Sequence, residues 1–153
     1  MDILQMAERI AQCERVCDIN IAQQKTSRIW VAPESQRKAL EAYVKDKAIA
    51  NRLIPIGFRT DINEVFKHCD IYLGTTPMSG GLMCQYAAAN KKPILQYYRP
   101  DMATNNETEQ VLNYNGEVNI SFTDMDDLLK EAQHLIADAE YRQQAGEKIY
   151  NCM

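Results

Sequence analysis

The segment Cys69-Asp-Ile-Tyr-Leu-Gly-Thr-Thr-Pro-Met-Ser-Gly-Gly-Leu-Met-Cys-Gln-Tyr-Ala-Ala-Ala-Asn-Lys-Lys-Pro-Ile-Leu95 constrains the fold more than any other. It reads without a break as strand, glycine turn, helix and strand. Ile71, Tyr72 and Leu73 are strand-preferring apolar residues, and residues 74–81 gather three glycines and a proline. Residues 82–90 hold neither glycine nor proline, and Ala87, Ala88 and Ala89 favour helix while allowing close packing on a sheet. Asn90 and Pro93 stop that helix, and Pro93 leads into Ile94 and Leu95 as the next strand. A strand, helix and strand joined this way cross over right-handed, so the two strands lie parallel.

Gly80 and Gly81 fall where strand gives way to helix, so unpaired backbone N–H groups and the positive end of the helix dipole converge there. An anion is favoured at such a point, and a residue without a side chain lets it approach closely. Ser79 and Thr76 add hydroxyl donors. A tight corner that needs glycine but binds nothing accounts for the local pattern equally well.

At 153 residues, 46% hydrophobic and 25% charged, the chain is expected to form one domain with a real core. No apolar run approaches the roughly 20 residues of a membrane span, and the start lacks the hydrophobic centre of a signal peptide. A cytoplasmic protein is expected, free or at the inner face of the membrane. A net charge of −4 with scattered basic residues gives no footprint for nucleic acid, and the eight tyrosines form no stacking pattern. The five cysteines suit reduced thiols, Cys69 and Cys84 lying in apolar segments. Cys13 and Cys17 stand one helical turn apart, but no histidine or second cysteine pair lies near them in sequence, so no metal is expected.

Apolar residues Ile3, Met6, Ile10, Cys13 and Cys17 predict an amphipathic helix over residues 2–19. A strand follows at 28–32. A helix from Glu34 and Ser35 to about Arg52 then carries Leu40, Tyr43, Val44, Ala48 and Ile49 on one face. Residues 53–56 make the second strand, and Thr60 or Asp61 caps a short helix over 62–68. After the central unit, residues 101–116 are polar, and the alternation at 118–122 predicts a strand near a sheet edge. Thr123 and Asp124 cap a helix whose stripe is Leu128, Leu129, Ala132, Leu135, Ile136 and Ala139, and a further amphipathic piece runs from Ala139 to Tyr150. Strands alternating with helices imply an α/β, Rossmann-like, doubly wound parallel sheet. Ligands of such sheets bind beyond the carboxyl ends of the strands. Those ends carry Ala32-Pro-Glu-Ser, Gly57-Phe-Arg-Thr, residues 74–81 and Tyr97-Tyr-Arg-Pro.

The strand at Asp70-Ile-Tyr-Leu, the loop Pro77-Met-Ser-Gly-Gly and the run Ala87-Ala-Ala-Asn-Lys-Lys-Pro-Ile-Leu together resemble the donor-binding half of GT-B glycosyltransferases. The Pro-x-x-Gly-Gly form is similar to the O-GlcNAc-transferase-like branch, and the general layout to the retaining family that makes bacterial polysaccharides. Arg52-Leu-Ile-Pro-Ile-Gly-Phe and Asp138-Ala-Glu-Tyr-Arg-Gln-Gln-Ala-Gly-Glu-Lys resemble further parts of that half, so the likeness covers residues 28–150. It implies that residues 1–153 are a nucleotide-sugar-binding domain of a longer glycosyltransferase, acting in polysaccharide or glycoconjugate synthesis. The acceptor and usually the base belong to an amino-terminal domain outside this chain, so the chain alone is expected to be inactive. No cofactor is implied; the nucleotide diphosphate sugar is the substrate.

Carried over by position, Gly80 and Gly81 take the donor diphosphate on their N–H groups, with Ser79 and Leu82 beside them. Tyr86 stands where many members have the glutamate that holds the ribose, and Met78 where the retaining type often has another. Arg59, after Gly57-Phe58, is placed to reach a phosphate or nucleobase, and a solvated surface arginine is equally ordinary there. Arg37, Lys38 and Arg99 are candidate diphosphate contacts, and each is equally ordinary as a solvated surface cation. His68 at a helix end suits the dipole, His134 suits the surface, and Asp70 lies on the amino side of the sheet in a structural place. No catalytic residue is assigned. With both carboxylates replaced, the alternative is a non-catalytic interaction module with a degenerate pocket. A flavodoxin-like phosphate binder lacks its first-strand signature, since Ala32-Pro-Glu-Ser offers no GxGxxG.

Overall fold

Short runs of β-branched and aromatic residues make the strands, and each pairs parallel with its neighbour. The computed structural model describes residues 28–31, 38, 41–42, 44–46, 53–56, 59–74, 81–98, 112, 118 and 120–153. Contacts divide the chain into two compact units, the boundary falling between Asp61 and Ile62.

In the first unit, β1 (Arg28–Val31) pairs with β2 (Leu53–Ile56), with Arg28 opposite Leu53 and Val31 opposite Ile56. Between them Lys38, Glu41, Ala42, Val44, Lys45 and Asp46 are helical; Val44 is buried and the charged positions are exposed. This agrees with the apolar face expected there at Val44. The amphipathic helix expected over residues 2–19 lies outside the described residues, as do Cys13, Cys17 and residues 101–111.

The second unit builds the central motif as its sequence dictates. Its elements are α1 (Ile62–Lys67), β3 (Tyr72–Leu73), α2 (Gly81–Ala89), β4 (Ile94–Tyr97), β5 (Ser121–Phe122), α3 (Met125–Ala137) and α4 (Ala139–Asn151). The three strands form a parallel sheet in the order β3-β4-β5, with Tyr72 opposite Ile94 and Gln96 opposite Ser121. The fold is α/β with parallel sheets, Rossmann-like. The expected edge strand is the two-residue β5, shorter than the alternation at 118–122 suggests, although Ile120 still accepts the Gln96 N–H at 2.7 Å.

Cys84, Ala87 and Ala88, spaced three and four apart, turn the fully buried face of α2 inward. They join Phe66, Ile94, Leu95, Leu112, Ile120, Leu135, Ala145 and Ile149 in one core. The helix stops in a Schellman turn: Lys91 N–H donates to Ala88 O at 2.9 Å and Lys92 N–H to Ala87 O at 2.9 Å. Lys91 takes the left-handed backbone this turn needs, at φ 55°.

Asp124 caps α3 as expected, its Oδ1 accepting from Asp126 N–H at 2.8 Å and Asp127 N–H at 3.1 Å. Leu128, Ala132 and Leu135 form the buried stripe with Met125. Ala139 is a correction, being exposed rather than part of it. Asp138 takes extended backbone and restarts the helix, its Oδ1 accepting from Tyr141 N–H at 2.9 Å, so the stripe ends one turn earlier. Among the described residues no helix is long and apolar enough to cross a membrane.

Candidate functional site

The carboxyl end of β3 is where the central motif meets the sheet, and its local geometry is set by two residues. Gly74 donates its N–H to Leu95 O at 2.8 Å, extending the β3–β4 ladder by one residue. A Cβ on Gly74 would lie 1.8 Å from Gln96 Oε1 and 2.9 Å from its Cδ, so a larger residue there would make the Gln96 amide move. Gln96 is 3% exposed, the buried polar side chain among the described residues, and its Nε2 donates to Tyr97 O at 3.1 Å. The close approach at Gly74 is made by a side chain of the neighbouring strand. Gln96 was not singled out from the sequence; its one available signal is a lone polar residue inside Ile94-Leu-Gln-Tyr.

From Gly74 the chain passes through residues 75–80, outside the described residues together with the expected contacts Ser79 and Gly80, and re-enters at Gly81, the first residue of α2. The first turn of α2 holds no acidic residue. By contrast, Glu64 in α1, Asp126 and Asp127 in α3 and Glu140 in α4 place carboxylates against the positive ends of their helices. Leu82 is 61% exposed at this end. An anion arriving there meets backbone N–H groups and no repelling side-chain charge on the first turn.

Tyr86 packs on the core. Its ring stacks on Phe66 at 6.3 Å, half-buried against the core, and its carbonyl accepts from Asn90 Nδ2 at 2.9 Å. Arg59 is exposed and its guanidinium is already engaged. Nε donates to Asp61 Oδ1 at 2.7 Å and Nη2 to Asp61 Oδ2, a two-pronged pair that lowers the Asp61 carboxyl below its usual range. Lys38 is helical and exposed. Arg37 and Arg99 lie outside the described residues. The structural readings of the remaining polar groups agree with their places: His68 is exposed just past α1, and Asp70 lies 3.9 Å from Arg142 Nε.

An open hollow of about 470 Å³ lies at the carboxyl end of β5, lined by Ser121, Phe122, Asp124, Asp127, Glu131 and His134 among others. Its polar groups serve the α3–α4 corner. Lys130 pairs with Asp127 at 2.9 Å, Tyr141 OH donates to Glu131 at 2.7 Å, and His134 stacks on Tyr141 at 3.8 Å. Three carboxylates around one lysine repel a diphosphate, so this hollow is the poorer place for a nucleotide. No group of three or more metal-ligating side chains occurs among the described residues.

No family model matches the chain, and no curated protein does. Among solved structures, a point mutant of the O-GlcNAc transferase of Thermobaculum terrenum superposes with a TM-score of 0.70 at 18% sequence identity. The match covers 95% of this chain and 28% of that one, so the chain spans under a third of the transferase it resembles. At this identity the likeness shows the fold: a GT-B-like α/β arrangement, as found in a glycosyltransferase.

Proposed function

We propose that the chain is the nucleotide-sugar-binding part of a glycosyltransferase, holding a sugar diphosphate donor at the amino end of α2 while an amino-terminal domain beyond this chain supplies the acceptor. The observation that carries this reading is the carboxylate-free first turn of Gly81–Ala89, set where the chain leaves the carboxyl end of a parallel strand. Backbone N–H groups at that point stabilise charge as the sugar–phosphate bond breaks, with the diphosphate as leaving group. Gly80 and Gly81 are the diphosphate contacts in this reading, with Ser79 and Leu82 beside them. The fold likeness to a transferase supports it at the level of fold.

Arg59 and Tyr86 favour a second reading. The guanidinium is bound to Asp61 and the tyrosine ring packs on Phe66, so neither is held ready for a ligand. A module that keeps the fold and binds a partner without turnover fits those two residues.

Thermal unfolding with UDP, GDP and the matching nucleosides separates the two. Ligand at about a hundred times Kd adds about 2.7 kcal/mol to stability. A donor site raises the midpoint with one of the diphosphates and not with its nucleoside. An unmoved midpoint with both diphosphates at millimolar concentration sinks the donor reading and leaves the module.

A further inference from the structure

Helix α2 is held differently along its flank and at its end. The flank rests on the core through Cys84, Ala87 and Ala88, all fully buried. Side chains this short make shallow ridges, so they fix how far the helix stands from the core more firmly than its place along its own axis. At the carboxyl end the helix meets a stop. The turn through Lys91 lies so close to Gly146 of α4 that a Cβ on Gly146 would be 2.0 Å from Lys91 O and 2.7 Å from Lys91 C. The Lys91 side chain is held by the same helix, its Nζ 3.9 Å from Glu147 Oε1 and 5.3 Å from the centre of the Tyr150 ring. From α1 this end receives side-chain hydrogen bonds at the surface: Asn90 Nδ2 donates to Asn63 Oδ1 at 2.7 Å, and Lys92 Nζ to Lys67 O at 3.3 Å. Backbone packed on α4 is the stiffer of the two supports. The nine residues of α2, each rising about 1.5 Å, join this stop to Gly81 and Leu82 without a break in the helix. N–H groups of a first turn point along the axis, so an axial shift changes every bond they make to an anion at once. A shift of about 1 Å takes such a bond from its best length of about 2.9 Å out of range.

We propose that Gly146 is a positioning residue for the donor site: by letting α4 close on the turn at Lys91, it sets where α2 stands along its axis, and so where the N–H groups of Gly81 and Leu82 meet a diphosphate. This inference rests on the donor-binding reading above. Gly146 lies at the opposite end of α2 from the ligand and touches none of it; it acts through the helix. Binding geometry of this kind tolerates little displacement, so a shifted α2 costs affinity in a chain that is still folded.

The test uses the full chain in about 0.15 M salt, which screens remote charges, with UDP and GDP titrated calorimetrically and amide spectra and unfolding midpoints recorded in parallel. Gly146→Ala drives a methyl against the Lys91 carbonyl. In the free variant the amides of α2 are expected to shift together, and nucleotide affinity is expected to fall on the order of tenfold at a temperature where the chain is fully folded. Leu128→Val, in the buried stripe of α3, lowers the midpoint without touching the turn and is expected to keep the parent affinity. Lys91→Gly suits the left-handed backbone at φ 55° and so keeps the fold, but it frees the turn from Glu147 and Tyr150 and is expected to lower affinity severalfold. That variant decides the matter if Gly146→Ala does not fold. Parent-like affinity in a folded Gly146→Ala chain, or in Lys91→Gly where the first variant fails, overturns the positioning role while leaving the donor site standing. An equal loss in Leu128→Val overturns it too, since general softening then accounts for the effect. A parent chain that binds neither nucleotide overturns the donor reading itself, and this inference with it, at a separate step.

Discussion

Tyr72 shows how burial at a single residue makes a measurable claim. Its hydroxyl is buried and has no hydrogen-bond partner among the described residues, and its ring meets Phe66 edge-on at 5.4 Å. Burial pushes the phenol well above its ordinary value, with the Cys84 thiol adding to the effect. Because the folded value is raised, the unfolded chain gives up this proton first as pH climbs. The contribution to stability is therefore complete below the ordinary tyrosine range near pH 10 and is lost as pH rises above it. Following tyrosinate absorbance, at least one of the eight tyrosines is expected to ionise only together with unfolding. Tyr72→Phe should remove that step and, at neutral pH, be neutral or stabilising by about 1 kcal/mol, since it deletes an unpaired buried hydroxyl. A Tyr72→Phe chain that titrates as the parent does contradicts the assignment. Tyrosine at this position was legible as a strand residue; its lost partner was not, because hydrogen bonding across a core is a property of packing and not of local pattern.

At the scale of elements, local signals carried the order of strands and helices well. Proline, glycine and the capping Asp124 mark boundaries through backbone geometry, which neighbours in sequence already fix; α2 begins and ends within a residue or two of where Gly81 and Asn90 place it, and α3 begins where Asp124 places it. What the pattern could not show is which elements touch. Gly146, inside α4, has no local reason to be glycine, and a helix interior ordinarily disfavours it. The reason is the turn after α2: a Cβ on Gly146 would lie 2.0 Å from Lys91 O and 2.7 Å from Lys91 C. That carbonyl belongs to a left-handed residue in a hydrogen-bonded turn and cannot give way cheaply. Gly146→Ala is expected to destabilise by about 1–3 kcal/mol despite alanine's better helix propensity, read as a lower denaturant midpoint at unchanged slope. A gain in stability would mean that α4 stands off from this turn.

For the whole molecule, the fold class followed from the alternation of strands and helices, and the structural likeness to a glycosyltransferase agrees with it at TM-score 0.70. The site was legible in part. The glycine start of α2 was found because strand-to-helix corners advertise themselves in sequence, whereas Gln96 is one polar residue in an apolar strand and gains meaning only from Gly74 across the ladder. Arg59 looked free because its partner Asp61 stands two residues away, a pairing that any exposed loop is able to make or avoid. The central claim is that a diphosphate sits on the amino end of Gly81–Ala89. The most direct measurement is the backbone amide spectrum of the isotopically labelled chain titrated with UDP, GDP and inorganic pyrophosphate. The Gly81 and Leu82 amides are expected to move with a nucleoside diphosphate, and pyrophosphate to compete for the same shifts. Shifts confined to the acidic hollow around Asp124 and Glu131, or none at saturating nucleotide, would contradict it.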